Sequence, residues 1–212
     1  AADGSLMMDL VTTTDAMFAV AFSPDGKRLA AGGADRAIRV FSVETGKQEL
    51  LIEDHADWVM GIAWSPDGSQ LVFYSYLNQR TDLHIMNADG SQLRRLVASG
   101  GPGAYPAWSS DGQWIAFVSI QVGAAGVYRL HPDGSDMQRL STFRASYIAW
   151  SPDSRRLIVT DDCDNNCDLY VLNADGTDLR RLTNNGTFDV YPVWSPDSQQ
   201  IVFMSNRYGN LE

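Results

Sequence analysis

One stretch of this 212-residue sequence concentrates chemistry-bearing side chains: Asp161-Asp162-Cys163-Asp164-Asn165-Asn166-Cys167-Asp168. Asp162, Asp164, Asn166 and Asp168 alternate, and alternating oxygen donors are the pattern with which a short loop wraps calcium. The loop lacks both the glycine at its sixth position and the distant bidentate glutamate of such sites. Calcium is therefore the weaker reading, and no resident cofactor or metal is expected. Cys163 and Cys167 flank a three-residue tip, so their Cβ atoms can come within disulfide range. The pair is expected to bond in an oxidising compartment and to stay as thiols in a reducing one. Zinc would need two more soft ligands nearby, and the sequence supplies none. Elsewhere there is no Gly-x-Ser-x-Gly elbow and no phosphate-cradling glycine motif. Most carboxylates lie in Asp-Gly pairs, which shape turns, so the chain is not expected to be an enzyme.

Composition narrows the partners. The net charge of −10 repels phosphate, which argues against nucleic acid. No apolar run approaches the roughly 20 residues that span a bilayer, so no membrane insertion is expected. Ala1-Ala2-Asp3-Gly4 has no leader character, so any signal peptide is expected to have been removed or never to have existed. Asn185-Gly186-Thr187 matches a glycosylation acceptor, a pattern too short to carry weight.

The elements that position these side chains follow from an internal repeat. The segments starting at Phe22, Trp64, Trp108, Trp150 and Trp194 read aromatic-Ser-Pro-Asp-Gly or close variants of it, and the aromatics stand 42, 44, 42 and 44 residues apart. That period belongs to four-stranded propeller blades. Within each period four short runs rich in Val, Ile, Phe and Trp alternate with turn signals. In the second they are Val59–Trp64, Gln70–Ser75, Leu83–Asn87 and Leu93–Val97, each a predicted strand. A Gly, Pro or Asp-Gly pair about every ten residues excludes helix. Ser-Pro-Asp-Gly predicts a tight hairpin turn, with proline presetting φ and glycine taking the positive φ that follows. A second turn recurs at Asn87–Ser91, His131–Ser135 and Asn173–Thr177. The second strands are almost continuously apolar, as expected where neighbouring blades cover both faces. Pro106 and Pro192 in the first strands mark edges, because proline donates nothing to a ladder. The predicted architecture is an all-β propeller of four-stranded antiparallel blades. Blade one covers about 16–53, blade two 58–97, blade three 103–140, blade four 145–183 and an incomplete blade five 189–212, with 1–13 as an outer strand.

Trp-Ser-Pro-Asp-Gly, then Ile-Ala-Phe-x-Ser, Asp-Leu-Tyr-Val-x-Asn-Ala-Asp-Gly and Leu-Arg-Arg-Leu-Thr, resembles the TolB-type propeller repeat across blades two to five. Blade one is closer to a WD repeat: Gly32–Phe41, then Glu44-Thr45-Gly46-Lys47, then Asp54-His55. Phe41-Ser42 stands where that family has Trp-Asp, and His55 and Asp35 fall in different repeats, so its complete hydrogen-bond network cannot assemble. The resemblance implies a propeller, by analogy a binding platform, and an extracytoplasmic, bacterial periplasmic setting rather than a cytoplasmic one. His84 takes the position of Tyr128 and Tyr170, His131 that of Asn87 and Asn173, and His55 the WD-type position before a blade. All three read as structural.

Alternate hairpins lie on opposite rims. The Ser-Pro-Asp-Gly and Asn-Ala-Asp-Gly turns are uniform, whereas the connections after strands two and four vary, and variable loops on a rigid scaffold carry binding residues. Trp58, Tyr76, Arg80, Phe143, Arg144, Phe188, Arg207 and Tyr208 are the candidate anchors, since aromatic residues and arginine dominate interface hot spots. The expected function is a non-enzymatic scaffold that binds another protein or the rest of a larger polypeptide. The alternatives are an accessory domain of a larger hydrolase or signalling protein, and a carbohydrate- or small-ligand-binding propeller using Tyr105, Tyr147 and Tyr191. Residues 2–13 match a second turn and fourth strand. Joining the two ends of the chain into a ring would thus omit one third strand. A fragment of a larger propeller is the expected resolution, and self-association through the open blade edge the other.

Overall fold

A computed structural model describes residues 10, 15–53, 58–77, 80–98, 106–120, 125–161 and 166–209. Alternating apolar residues interrupted by glycine-containing turns build strands, and among the described residues there is no helix, hence none long and apolar enough to cross a membrane. The first sheet contains β1 (Met17–Phe22), β2 (Arg28–Gly33), β3 (Ile38–Ser42) and β4 (Gln48–Ile52). The second contains β5 (Trp58–Trp64), β6 (Gln70–Leu77), β7 (Arg80–Asn87) and β8 (Arg94–Ala98). The third contains β9 (Ala107–Trp108), β10 (Ile115–Ser119), β11 (Gly126–Leu130) and β12 (Gln138–Arg139). The fourth contains β13 (Ala145–Trp150), β14 (Arg156–Asp161), β15 (Leu169–Asn173) and β16 (Arg180–Arg181). β17 (Asp189–Trp194) and β18 (Ile201–Ser205) form a two-stranded fifth sheet. Every sheet runs in sequence order with antiparallel neighbours. The predicted outer strand at 1–13 lies outside the described residues, apart from Leu10.

The core lies between sheets. In β6, Leu71 and Phe73 pack toward the first sheet, while Val72 and Tyr74 pack toward the third. The same two-residue alternation splits Ile115 and Phe117 from Ala116 and Val118 in β10, and Leu157 and Val159 from Ile158 in β14. A strand buried on both faces must be apolar throughout, which is why the second strands lack the polar alternation of a half-exposed sheet. Burying each Leu, Ile, Val or Phe stabilises by about 1.5–3 kcal/mol. The Tyr74 hydroxyl adds a bond across the interface, donating to the Val118 carbonyl at 2.9 Å.

The repeated tryptophans close these interfaces. Trp64, Trp150 and Trp194 are buried, and the indole N–H groups of Trp64 and Trp150 donate to the carbonyls of Ala21 and Ala107 in the preceding sheets. Trp108 differs from them: it is only half-buried, at the end of the two-residue strand β9. First strands are edges in every sheet, so the missing N–H of Pro192 removes no ladder bond. First-strand residues of the second, third and fourth sheets, among them Ile62, Ala107 and Ile148, line one cavity of about 600 Å³.

Two features correct the sequence reading. The strands of the β6–β7 hairpin are eight residues long, not five or six, and pair out to Leu77 opposite Arg80. Tyr76 and Arg80 are therefore strand residues rather than parts of a long loop. In blades four and five serine replaces the turn glycine yet keeps its backbone, with φ of 59° at Ser154 and 61° at Ser198. A side chain at such φ costs about 1–2 kcal/mol. Here it has a compensating bond: the hydroxyls of Ser154 and Ser198 accept from the backbone N–H groups of Asp111 and Asp153, tying each turn to the one before.

Candidate functional site

Strand-one starts and strand-two ends share the rim opposite the Ser-Pro-Asp-Gly turns. Trp58 opens β5 directly across from Tyr76 near the end of β6, and their rings stack with centroids 5.9 Å apart at 29°. Phe18 of β1 extends the row from the neighbouring sheet, 5.9 Å from Trp58 at 51°. The ladder slips one residue between Met17 and Ala19 in β1 and between Val59 and Gly61 in β5. Such bulges re-aim side chains at a sheet's end, here leaving Phe18 36% and Trp58 44% exposed. A row of apolar ring surface open to solvent can desolvate against an apolar or aromatic group, or against the C–H face of a sugar. The sequence reading missed Phe18. Its signal was an aromatic residue near the start of a first strand, two positions beyond the place that Trp58 holds in the repeat.

None of the other candidates whose side chains are described joins this row. Arg80 opens β7, and its side chain lies outside the described part of the structure. Phe143 is half-buried against Tyr170, with centroids 4.8 Å apart, and belongs to the core between the third and fourth sheets. Arg144 is exposed beside it. Phe188, Arg207 and Tyr208 gather at the fifth sheet, where Phe188 and Tyr208 are exposed. Arg207 is committed locally: its Nη2 bonds both oxygens of fully buried Asp189, at 3.2 and 3.3 Å, and its guanidinium lies 5.2 Å from the Phe203 ring centre. Burial pushes the Asp189 carboxyl up, but hydrogen bonds from Ser205, Arg207, Thr183 and Asn185 outweigh it and hold the carboxyl below its ordinary value. This cluster is a strap over the rim with two exposed rings.

Of the candidate calcium loop, Asn166 and Asp168 lie among the described residues. Asp168 is buried and accepts from Arg181, from Asn166 Nδ2 at 3.0 Å and from the Thr183 hydroxyl at 3.3 Å. The same pair recurs in blade two, where Arg95 reaches Asp82 at 3.2 Å. In blade three Gly126 takes the acidic position because a Cβ there would run into the Ser141 carbonyl, and Arg139 bonds the Ala125 carbonyl instead. Asp168 thus serves a repeated Asp–Arg clip between strands three and four. Asp162 and Asp164 lie outside the described residues, and among those described no three His, Cys, Asp or Glu side chains gather as a metal site. Cys167 is disulfide-bonded, and Cys163 is the one other cysteine of the sequence. The backbone of Cys167 holds the next blade, donating to the Thr187 carbonyl at 3.2 Å and accepting from the Asp189 N–H at 3.0 Å.

The histidines are packed as structure. His84 stacks on Phe73 at 5.3 Å, and burial holds its pKa below the ordinary value. His131 stacks on Trp114 at 3.9 Å, while its Nδ1 lies 2.8 Å from the Gln113 carbonyl. His55 lies outside the described residues. Of the three candidate stacking tyrosines, Tyr147 and Tyr191 meet edge to face at 6.0 Å, and Tyr105 lies outside the described residues.

Consecutive antiparallel sheets, packed face to face with their first strands gathered around a cavity, define a β-propeller. The chain belongs to the TolB β-propeller family: the TolB beta propeller domain matches residues 1–149 and again 144–211. It is similar in structure to TolB from Acinetobacter baumannii, at 21% identity with a TM-score of 0.71, over 92% of this chain and 52% of that one. It is also similar to a chain of Kuenenia stuttgartiensis hydrazine synthase, at 17% identity with a TM-score of 0.75, over 95% of this chain and 59% of that one. A WD repeat-containing protein of Synechocystis is 35% identical over 71 residues, 33% of this chain and 20% of its own length. The chain spans a fifth or less of the curated relatives it matches.

Proposed function

We propose that this propeller is a non-catalytic interaction module that docks a protein partner on its variable-loop rim, with Trp58, Tyr76 and Phe18 as the central anchor. The observation that carries the reading is the three-ring row, in which Phe18 and Trp58 are exposed and Tyr76 is half-buried. Exposed tryptophan flanked by other rings is the composition of an interface core, and its rigid side chains lose little entropy on binding. The net charge of −10 favours a partner with a basic surface. Phe188 and Tyr208 extend the same rim. Its setting is an oxidising compartment outside the cytoplasm, supported by the disulfide at Cys167 and by the family resemblance. The test is capture of partners on immobilised chain, wild type against Trp58→Ala/Tyr76→Ala. Loss of bound partner with an unchanged melting temperature supports the assignment, and undiminished capture removes this rim.

A second reading makes the module an accessory domain of a larger enzyme. It is favoured by the close match of almost the whole chain to a little over half of a hydrazine synthase chain. The rim would then dock a domain of the same polypeptide.

A further inference from the structure

The connection between β16 and β17 holds the single Asn-Gly pair of the sequence, Asn185-Gly186. An asparagine followed by glycine is chemically labile, because with no Cβ in the way the glycine nitrogen can swing onto the side-chain carbonyl carbon. The fold arranges this pair for that attack. The Asn185 side chain closes an Asx turn: its Oδ1 accepts from the Thr187 N–H at 3.2 Å and from the Thr187 hydroxyl. The hydroxyl lies further, 3.4 Å, from Asp189 Oδ1. Both flanks are pinned, with Thr187 and Asp189 bonded to the Cys167 backbone and the Phe188 N–H donating to Asn206 Oδ1 at 2.8 Å. Gly186 itself is open. Its φ is +69°, a Cβ placed on it would meet nothing within 4 Å, and its N–H has no acceptor among the described residues. The six Asp-Gly pairs of the described turns are the contrast. In each of them the glycine N–H donates to the carbonyl three residues before it, as Gly68 does to Ser65 and Gly176 to Asn173.

We propose that Asn185 is a self-modifying site: the folded chain converts its amide, through a cyclic imide with Gly186, into a carboxylate that faces buried Asp189. The Gly186 nitrogen gives its proton to solvent base and attacks Asn185 Cγ, forming a C–N bond. The negative charge that develops on Oδ1 falls where the Thr187 N–H and hydroxyl already point, the arrangement that stabilises a tetrahedral oxyanion. The bond from Cγ to the side-chain nitrogen then breaks, and that nitrogen takes a proton from solvent and leaves as ammonia. Water opens the imide at the Cγ carbonyl to give aspartate, or at the backbone carbonyl to give isoaspartate. In sum one water enters and one ammonia departs. The consequence follows from one hydrogen bond. Asn185 Nδ2 donates to Asp189 Oδ2 at 3.1 Å, so the product sets a carboxylate against a carboxylate that is 0% exposed. The new anion also competes for Arg207, which bonds both Asp189 oxygens, and so loosens the strap that carries Phe188 and Tyr208. The chemistry needs no partner and stands whatever the rim binds.

The test ages the chain in mildly alkaline buffer, folded and unfolded in urea, and follows each site by peptide mass spectrometry and isoaspartyl methylation. In the folded chain Asn185 should convert at least as fast as in the unfolded one. The Asp-Gly turns should convert about tenfold or more slowly when folded, since local opening must first free their nitrogens. Thr187→Val should slow the folded chain's conversion at Asn185 by roughly tenfold and leave the unfolded chain's rate within about twofold. Asn185→Asp, which is one product, should lower the melting temperature by about 2–4 °C, and Asn185→Ala, which loses the bond without adding charge, by less. An Asn185 amide that survives folded while it is lost unfolded overturns the proposal. Equal folded rates with and without the Thr187 hydroxyl overturn its role, and an Asn185→Asp chain as stable as Asn185→Ala overturns the coupling to Asp189.

Discussion

At one rim of the propeller the Ser65 hydroxyl donates to Asp67 at 2.6 Å and accepts from the Gln70 N–H at 2.9 Å. The same two bonds recur at Ser23, Ser109, Ser151 and Ser195. At the other rim Trp58 and Tyr76 stack in the second sheet, while in the fourth Arg144 takes the place of Trp58 and Ser146 nearby donates its hydroxyl to the Asp161 carbonyl. A turn that must reverse the chain in four residues has few solutions, so its chemistry is copied from blade to blade. A rim that only has to connect strands is free to differ, and that freedom lets one place carry exposed rings without destabilising the ring of sheets. On this contrast, substitutions at the turn rim and its interface cores should register in stability, and those at the variable rim in binding.

The largest expected effect lies under the turn rim. Trp64→Ala empties an interface core and strands the Ala21 carbonyl, and should cost about 3–5 kcal/mol in urea unfolding. A loss below ~1 kcal/mol would mean the tryptophans do not hold adjacent blades together. Next comes the opposite rim. Trp58→Ala should weaken partner binding by about 2 kcal/mol, roughly 30-fold, while stability stays within ~0.5 kcal/mol. An equal loss in both measurements would erase the distinction between the rims.

A smaller effect separates strain from bonding within the turns. Ser198→Ala keeps the positive φ and removes the bond to Asp153, so a loss of about 0.5–1.5 kcal/mol is expected. Ser198→Gly also removes the strain and should come out nearer to neutral. If the two variants unfold alike, relief of strain contributes nothing at this turn.

The smallest single-site effects concern pH. Hydroxyl hydrogen bonds from Ser or Thr hold the carboxyls of Asp25, Asp67, Asp89, Asp133, Asp153, Asp175 and Asp197 below the ordinary 3.8. Their folded pKa values are depressed, so the stability they contribute is complete above 3.8 and is lost as pH falls below it through the folded values. The urea midpoint should therefore drop on the acid side. Ser65→Ala should shallow that drop slightly, and a midpoint flat from pH 5 to about 2.5 would contradict the turn networks.

The 42- and 44-residue period, the Ser-Pro-Asp-Gly turns and the apolar second strands are local properties of the chain, and they sufficed to predict propeller blades. Positive φ at Gly68, or the two-sided burial of Leu71–Tyr74, follows from a handful of neighbouring residues. The binding rim was less legible. Trp58 and Tyr76 were readable as candidates, but their stacking depends on a hairpin that stays paired to the rim and on a bulge at Val59–Gly61. Phe143 and Arg207 have the composition of anchors, yet Tyr170 and Asp189, 27 and 18 residues away, draw them into structure. Only the packing of one sheet on the next decides which ring faces solvent. That packing depends on twist and register across some 40 residues of sequence, a separation at which periodicity and turn chemistry carry no signal.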